Sequence, residues 1–465
     1  MNQDASLKKY ALLVAMTASC LTPFMGSSVN LAAPSIGREF NTSALMLSWV
    51  VTSYILASAA FLVPFGRLAD IVGRKRIFLI GMSVFSLSSL LCGLARTVEA
   101  LIAFRVIQGV GSSMMFGTSV AILTSVFPPQ ERGRVLGLTA AMAYTGLSLG
   151  PVLGGSINHN LGWHYIFYLN ALIGALIAYL SATKLRGEWA GARGESYDLI
   201  GSVLYSLGLL LFMYGLSSMA VSVTARFMLG AGLVVLAIFA RQQMGSPYPI
   251  LNMMVFSQNI TFTFSNLAAL LNYSANFAVT FLLSLHLQVV AGYDSQTAGL
   301  ILLSQPVVMA LLSPFAGRLS DRVEPRLVSS LGMVLTTLGL LAFCFLSTNT
   351  PVWEVAGNLV LLGIGFALFS SPNSNSIMGS VERRFYGVAA STLSTMRLTG
   401  QAISMAIVTL MLALYLGSGK LVPAYSDLLV RSARMSFAVF AGLCLVGVFA
   451  SLTRGSRRDR PEPSL

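Results

Sequence analysis

Two arginines stand where a charge is expensive. Arg105 in LIAFRVIQGVGSS (101–113) and Arg397 in MRLTGQAIS (396–404) each interrupt a long apolar run, and a charge at mid-membrane depth costs about 2.5–3.5 kcal/mol on insertion scales. Gln108 and Gly109 follow Arg105 by about one helical turn, and Gln401 follows Arg397 by four residues, so each arginine shares a face with an amide. A guanidinium so placed can contact an anion or tune a proton site. It can also serve structurally, donating to the carbonyls of a neighbouring helix.

The acids are distributed differently. All sixteen Asp and Glu fall at the ends of apolar runs, in the segments between them or in the tails. A chamber furnished with guanidinium and no carboxylate favours anionic or neutral amphipathic ligands over lipophilic cations, which need a buried carboxylate. Other polar residues offer a lining. Asn272 and Asn276 share a helical face, with Tyr273 and Phe277 beside them, while Asn30 and Tyr54 occupy the first two runs. They line a cavity in one reading; in the other they are interhelical glue worth about 0.6 kcal/mol each. His286, near the outer end of its run, reads as an interfacial histidine able to titrate near neutral pH. Asn373 and Asn375 in SSPNSNS are expected to break or end a span.

Chemistry of other kinds finds no support. Cys20, Cys92, Cys344 and Cys444 lie in separate apolar runs without CxxC spacing, which suggests neither a disulfide framework nor a metal site. There is no GxxxxGK[ST] loop and no nucleophile–base pair, so no cofactor and no enzymatic activity are expected.

The elements that must position these residues are membrane helices. The chain is 55% hydrophobic and 10% charged, against about 25% charged in soluble domains. Runs long enough to cross about 30 Å of hydrocarbon recur from Tyr10 to Thr453. The first is too long for a cleavable signal, and fourteen spans are expected: 10–33, 47–66, 77–95, 100–123, 135–156, 164–183, 199–218, 226–241, 259–290, 298–316, 327–347, 353–371, 388–415 and 435–453. With the N-terminus inside, about 21 Lys and Arg fall on the cytoplasmic side and about 6 outside, with two inside spans, which sum to the 29 in the chain. Both termini are then cytoplasmic, and the net charge of +13 reflects basic loops beside the bilayer, not nucleic-acid binding. Residues 416–434 read as an external loop or interfacial helix, and 454–465 as a cytoplasmic tail.

A repeat organises the spans. PFGRLADIVGRKR (64–76) returns as PFAGRLSDRVEPR (314–326), each time between two spans on the same side. Two six-helix halves, 1–183 and 258–453, are therefore expected around a linker, 184–257, that carries two extra helices; paired halves of this kind are a transporter architecture. The repeated turn groups Gly66, Asp70, Gly73, Arg74 and Lys75, with Gly317 and Asp321 in the second copy. It fits a latch for one state of a rocking bundle, with simple topogenic charge as the plainer alternative. In GLSLGPVLGG (146–155), Gly146, Gly150, Gly154 and Gly155 let backbones approach closely, and Pro151 is expected to disturb the helical hydrogen bonds and bend the span.

These motifs carry a resemblance. GRLADIVGRKR looks like the loop signature of the major facilitator superfamily, LIAFRVIQGVGSS resembles its fourth-helix motif, and GLSLGPVLGG is similar to the fifth-helix signature of its antiporters. With SWVVTSYILA, FPPQERGR, GWHYIFYLN and, more loosely, LHLQVVAGYDSQTAGLILL, they resemble the fourteen-span drug:proton antiporters over nearly the whole chain. The resemblance implies an all-α major facilitator fold of two pseudo-symmetric bundles plus two central helices. It also implies efflux of a small molecule coupled to protons by alternating access, in a monomer in the bacterial cytoplasmic membrane. Arg105 and Gln108 take the coupling or substrate role, the fifth-helix glycines and Pro151 the seal, and Arg397, Gln401, Asn30, Tyr54, Asn272 and Asn276 the cavity. A proton-independent organic-anion facilitator or importer, or a receptor or assembly factor on the same fold, stays open. The chain departs from the pattern at Ile71 and His164, at Glu324-Pro325, and at Met25, where relatives usually carry an Asp.

Overall fold

A computed structural model describes residues 2–220, 222–251, 259–381, 386–417 and 423–454, and the fold they form is all helix. Thirteen helices among the described residues are long and apolar enough to cross a membrane. The 32-residue helix Pro129–Asn160 occupies the place of the fifth expected span.

The first half comprises α1 (Asn2–Glu39), α2 (Ala44–Val72), α3 (Arg74–Gly93), α4 (Val98–Val126), α5 (Pro129–Asn160) and α6 (His164–Lys184), with α1 packed on α5, α2 on α4, and α3 on α4 and α6. Side-chain caps start several helices: Ser43 accepts from Met46 N and Thr97 from Ala100 N, each satisfying an orphan N–H of a first turn. The extra pair, α7 (Leu199–Ser218) and α8 (Val223–Gly245), packs on itself, and α7 also touches α2. Helix α8 shows little burial along its length, so its surface is left for lipid.

The second half departs from the expected spans in instructive ways. The ninth is broken into α9 (Ile260–Asn276) and α10 (Val279–Leu285), and continues as a π-helical turn, His286–Val290. The freed amide of Ala278 donates to Ser404 Oγ at 3.1 Å, which removes the cost of an orphan at membrane depth. The tenth is likewise split into α11 (Ser295–Leu302) and α12 (Ser304–Arg322); Pro306 lacks an N–H and is tolerated only in the first turn of the new segment. Next come α13 (Pro325–Phe343), α14 (Val352–Gly379), α15 (Tyr386–Tyr415) and α16 (Ser426–Leu452).

Two expectations are corrected. Helix α14 runs unbroken through Pro372, Asn373 and Asn375, and it is tied to its neighbours where Asn373 Nδ2 donates to Ser265 O of α9 at 3.2 Å and Asn375 Nδ2 to Ser320 Oγ of α12 at 2.9 Å. Residues 426–434, expected outside the last span, are its first turns; 418–422 and the tail beyond 454 lie outside the described residues.

One contact fixes the extra pair. Asp198 caps α7 by accepting from Gly201 N at 2.8 Å, and also from Gln243 Nε2 at 2.8 Å and Gln242 Nε2 at 3.1 Å near the end of α8. Burial pushes its carboxyl up, but the hydrogen bonds from Gly201, Gln242, Gln243 and Ser246 outweigh it and hold the group below the usual carboxylate range. A carboxyl depressed in the fold stabilises above its ordinary pKa and loses that stabilisation as pH falls through the folded value. Asp198→Ala should therefore cost about 1–3 kcal/mol near neutral pH. In thermal melts of purified protein the gap from wild type should narrow on strong acidification.

Candidate functional site

A cavity lies where the two halves face each other. Its walls come from α1, α2, α4 and α5 of the first half and from α9, α10, α11, α12, α14 and α15 of the second, and it encloses about 1210 Å³ of empty space, open mouth included. Asn30, Tyr54, Asn276, Arg397 and Gln401 line it as expected; Asn272 is buried away from it, its carbonyl accepting from Asn276 Nδ2 at 3.2 Å. Thr22, Ser27, Thr280 and Gln305 also line it. Sequence reasoning passed over these because isolated Ser, Thr and Gln in an apolar run are commonplace. Gln305 had one usable signal, the following Pro306, which ends one helix segment and starts another.

Aromatic rings supply the remaining wall. Tyr273 and Phe366 meet edge to face at 5.4 Å, and the Arg397 guanidinium lies 5.0 Å from the Tyr273 ring. Among the described lining residues Arg397 is the sole charged side chain, and no carboxylate faces the space. The arrangement suits a flat amphipathic molecule: aromatic faces to stack on, amides for its polar edge, one cation for an acidic group.

Arg105 and Gln108 do not line the cavity. They sit one layer behind it, both with 0% exposure. Arg105 Nε donates to Val50 O at 2.9 Å, its Nη1 donates to Gln108 Oε1 at 2.6 Å, and Gln108 Nε2 donates to Ser89 Oγ at 2.6 Å. The guanidinium lies 4.2 Å from the Tyr54 ring, whose hydroxyl donates to Ser112 Oγ at 2.9 Å. Each half thus carries an arginine against a tyrosine. In the second half the pair faces the cavity; in the first, only Tyr54 does.

The glycines of α5 form a seam. A Cβ on Gly150 would stand 2.5 Å from Ser27 Cβ and one on Gly154 2.6 Å from Ser28 Cβ, while on Gly146 it would strike Cys20 O, so α5 lies backbone-close to α1. Gly155 instead faces Ser295 O of the other half, 2.5 Å from where its Cβ would be, and Gly299 abuts Pro151 O. Gly299 was missed, since one glycine in an eight-residue helix carries no pattern.

These contacts close one end of the cavity, the end away from the charged turns. There Ser284 Oγ donates to Asn30 O at 2.9 Å, Gln288 Nε2 to Leu31 O at 2.9 Å and Ser295 Oγ to Gly155 O at 3.2 Å, all across the halves. His286, expected at the interface, is buried with 2% exposure. His164 and Trp163 Nε1 both turn to Glu39, at 3.4 and 2.7 Å. At the opposite end a second cavity is lined from both halves, by Gly66, Arg67, Asp70 and Arg74 and by Val388, Ser391, Thr392 and Thr395 among others.

There the repeated turn is tied down. Arg74 bonds Asp70 Oδ1 at 2.7–2.8 Å, Ala121 O at 3.0 Å and Ser125 Oγ at 2.6 Å. Gly73 has φ +132°, a conformation side chains rarely adopt, and a Cβ on it would stand 2.5 Å from Glu188. A Cβ on Gly66 would meet no atom within 4 Å, whereas one on Gly117 of α4 would stand 3.6 Å from Gly66 Cα. The start of the linker covers the turn: Glu188 accepts from Lys75 N at 2.8 Å, Trp189 O from Arg74 N at 2.8 Å, Asp70 O from Ala192 N at 2.9 Å, Leu185 O accepts from Lys75 Nζ, and Arg67 pairs with Glu195. In the second copy a Cβ on Gly317 would stand 2.9 Å from Ser371 Oγ and Arg326 pairs with Glu324 at 2.6 Å; the Asp321 side chain lies outside the described residues.

Comparison with known proteins agrees with this geometry. The model of the Major Facilitator Superfamily matches residues 15–198 and 266–465. The riboflavin transporter RibZ of Clostridioides difficile (strain 630) is 28% identical over 446 residues, 95% of this chain and 97% of that protein. The cephamycin export protein CmcT of Amycolatopsis lactamdurans is 32% identical over 412 residues, 85% and 83% of the two chains. In fold, the chain resembles a bacterial homologue of the human lysosomal transporter Spinster in an inward-facing, unoccupied conformation, with a TM-score of 0.70 at 16% identity over 98% of this chain and 99% of that one. Among the described residues no cluster suited to a metal occurs. Two helical bundles around a shared cavity, closed at one end, together with a family match over most of the chain, place this membrane protein in the Major Facilitator Superfamily as a transporter and not an enzyme.

Proposed function

We propose that this protein is a proton-coupled exporter of flat, amphipathic, anionic or neutral small molecules. It belongs with the fourteen-span drug:proton antiporters and works from the bacterial cytoplasmic membrane with both termini inside. One observation carries the substrate preference: the central cavity is lined by Arg397, amides and aromatic rings, with no carboxylate among its described lining residues. Riboflavin and a cephamycin, the molecules for which two relatives are named, are not lipophilic cations, which supports the same reading. In this assignment the charged turns face the cytoplasm, as the excess of Lys and Arg on that side requires. The cavity closed at the far end is then the state that loads from the cytoplasm.

The test uses everted membrane vesicles with an acid interior, following uptake of riboflavin and of a cephamycin. Uptake collapsed by a protonophore supports antiport. The absence of a buried carboxylate among the described residues favours a second reading, a proton-independent organic-anion facilitator; flux insensitive to the gradient would select it. Arg397→Gln should cut uptake of the anionic cephamycin about tenfold or more, the worth of a charged hydrogen bond, and leave riboflavin less affected. Equal losses for both probes would remove the charge-selective role.

A further inference from the structure

We infer that the side-chain oxygens of Asn30 and Asn276 are substrate-binding acceptors, one from each half, so that the cavity selects flat molecules bearing N–H or O–H donors at two separated points. This rests on the reading of the central cavity as the substrate chamber, and it narrows the substrate class. Buried amides in a membrane bundle have two uses, bonding one helix to another or bonding a ligand. These two do not serve the first. Among the described residues, Asn276 Nδ2 donates only within its own helix, to Asn272 O at 3.2 Å and to Asn272 Oδ1 at 3.5 Å, and neither Asn276 Oδ1 nor Asn30 Oδ1 has a hydrogen-bond partner.

Position fits the second use. Both side chains line the cavity, with 2% and 6% exposure, and they come from opposite halves. A main-chain carbonyl can only accept, so Asn272 O holds the NH2 end of Asn276 and leaves its oxygen as the unbonded end. Asn30 belongs to the closed end of the cavity, where its own main-chain carbonyl accepts from Ser284 Oγ of the other half at 2.9 Å. Asn276 lies one turn beyond Tyr273 on α9, and the Tyr273 ring meets Phe366 edge to face at 5.4 Å, so this amide adjoins the aromatic wall.

A buried oxygen without a donor retains the desolvation cost of its burial until a donor arrives. Rotation about χ2, a soft torsion in asparagine, brings the oxygen to a ligand N–H or O–H. A ligand with a methyl group at that point leaves the oxygen unpaired, and sites built to bond a donor reject such analogues strongly. Arg397 has the complementary task of donating to an acidic or carbonyl group of the same molecule. Because α1 and α9 belong to different halves, a molecule that meets both oxygens holds the halves together, and a donor-free molecule of the same shape does not.

The test is a binding measurement on the full chain in lipid nanodiscs, by flavin fluorescence titration with three probes. Riboflavin carries an imide N–H on its flat ring and hydroxyl donors on its side chain. Its imide N-methyl derivative lacks the first donor, and lumiflavin, with a methyl group in place of the chain, lacks the second. Wild type should bind each derivative about tenfold or more weakly than riboflavin. Asn30→Leu and Asn276→Leu should each erase one of the two losses, a double-mutant cycle run between protein and ligand. Comparing ligands within one protein cancels any general loosening of the cavity, and melting temperatures show which variants are folded; one folded variant is enough to decide. Riboflavin affinity that only matches that of either derivative, or losses that stay the same in a folded leucine variant, overturns the inference. Vesicle uptake of the cephamycin tests the exporter reading apart from this, since gradient-driven uptake can persist where the donor preference fails.

Discussion

Arg105→Ala is expected to reduce transport to background while the protein still inserts and folds. The side chain has no exposure, and it holds Val50 O, Gln108 Oε1 and the Tyr54 ring at once. Truncation orphans the Gln108 amide oxygen at a cost of about 1–3 kcal/mol and strips the Val50 carbonyl, an interior carbonyl of α2, of its second bond. It also removes a desolvated cation–π contact worth about 2 kcal/mol. The loss falls on α2, through Val50 and Tyr54, and so reaches a cavity wall that Arg105 itself does not touch. Arg105→Lys should recover little, because one ammonium cannot serve two acceptors set by a planar fork. Vesicle uptake, with expression level and melting temperature beside it, gives the answer. Full activity in Arg105→Ala would remove the residue from the transport machinery.

The positions of Arg105 and Arg397 explain how far the sequence could be read. Both stood out because charge in an apolar run is costly whatever the fold. What separates them is tertiary: Arg397 faces the cavity and Arg105 backs Tyr54, and helical periodicity does not say which face meets the other half. The spans were legible from hydropathy, but their breaks were not. At the break after Asn276 the Ala278 amide is captured by Ser404 from a distant helix, and α14 runs on through Pro372 with Asn373 and Asn375 bonded to neighbouring helices, partners that no local stretch of sequence reveals. His286 was expected at an interface and is buried instead, since interfacial and buried positions differ only in what packs against them. The charged turn was legible as a unit, whereas its cover was not: Glu188, Trp189 and Glu195 meet it from more than a hundred residues away.

The glycine seam yields the second large effect, through a contrast between two substitutions in one helix. Gly155→Leu should drive the protein toward the arrangement open at the far end, because its side chain meets Ser295 O of the other half, 2.5 Å from the first added atom. Parting the halves relieves the clash with Ser295 O; the other close atom, Leu31 Cδ2 of α1 at 2.8 Å, is the end of a flexible side chain that can turn aside. If the clash costs about 1–3 kcal/mol, as overpacking does, the ratio of arrangements shifts by about 5- to 150-fold. Gly150→Leu presses on Ser27 and Phe24 of α1, in its own half. Both arrangements keep that contact, so the penalty should appear as a lower melting temperature with no change in their ratio. Distances between spin labels at Leu161 and Trp353, exposed positions at the far end on opposite halves, read the first variant, and thermal melting reads the second. Equal distance distributions for Gly155→Leu and wild type would mean that this contact persists when the halves rock, and the seam would then belong to the rigid packing of the bundle and not to its gate.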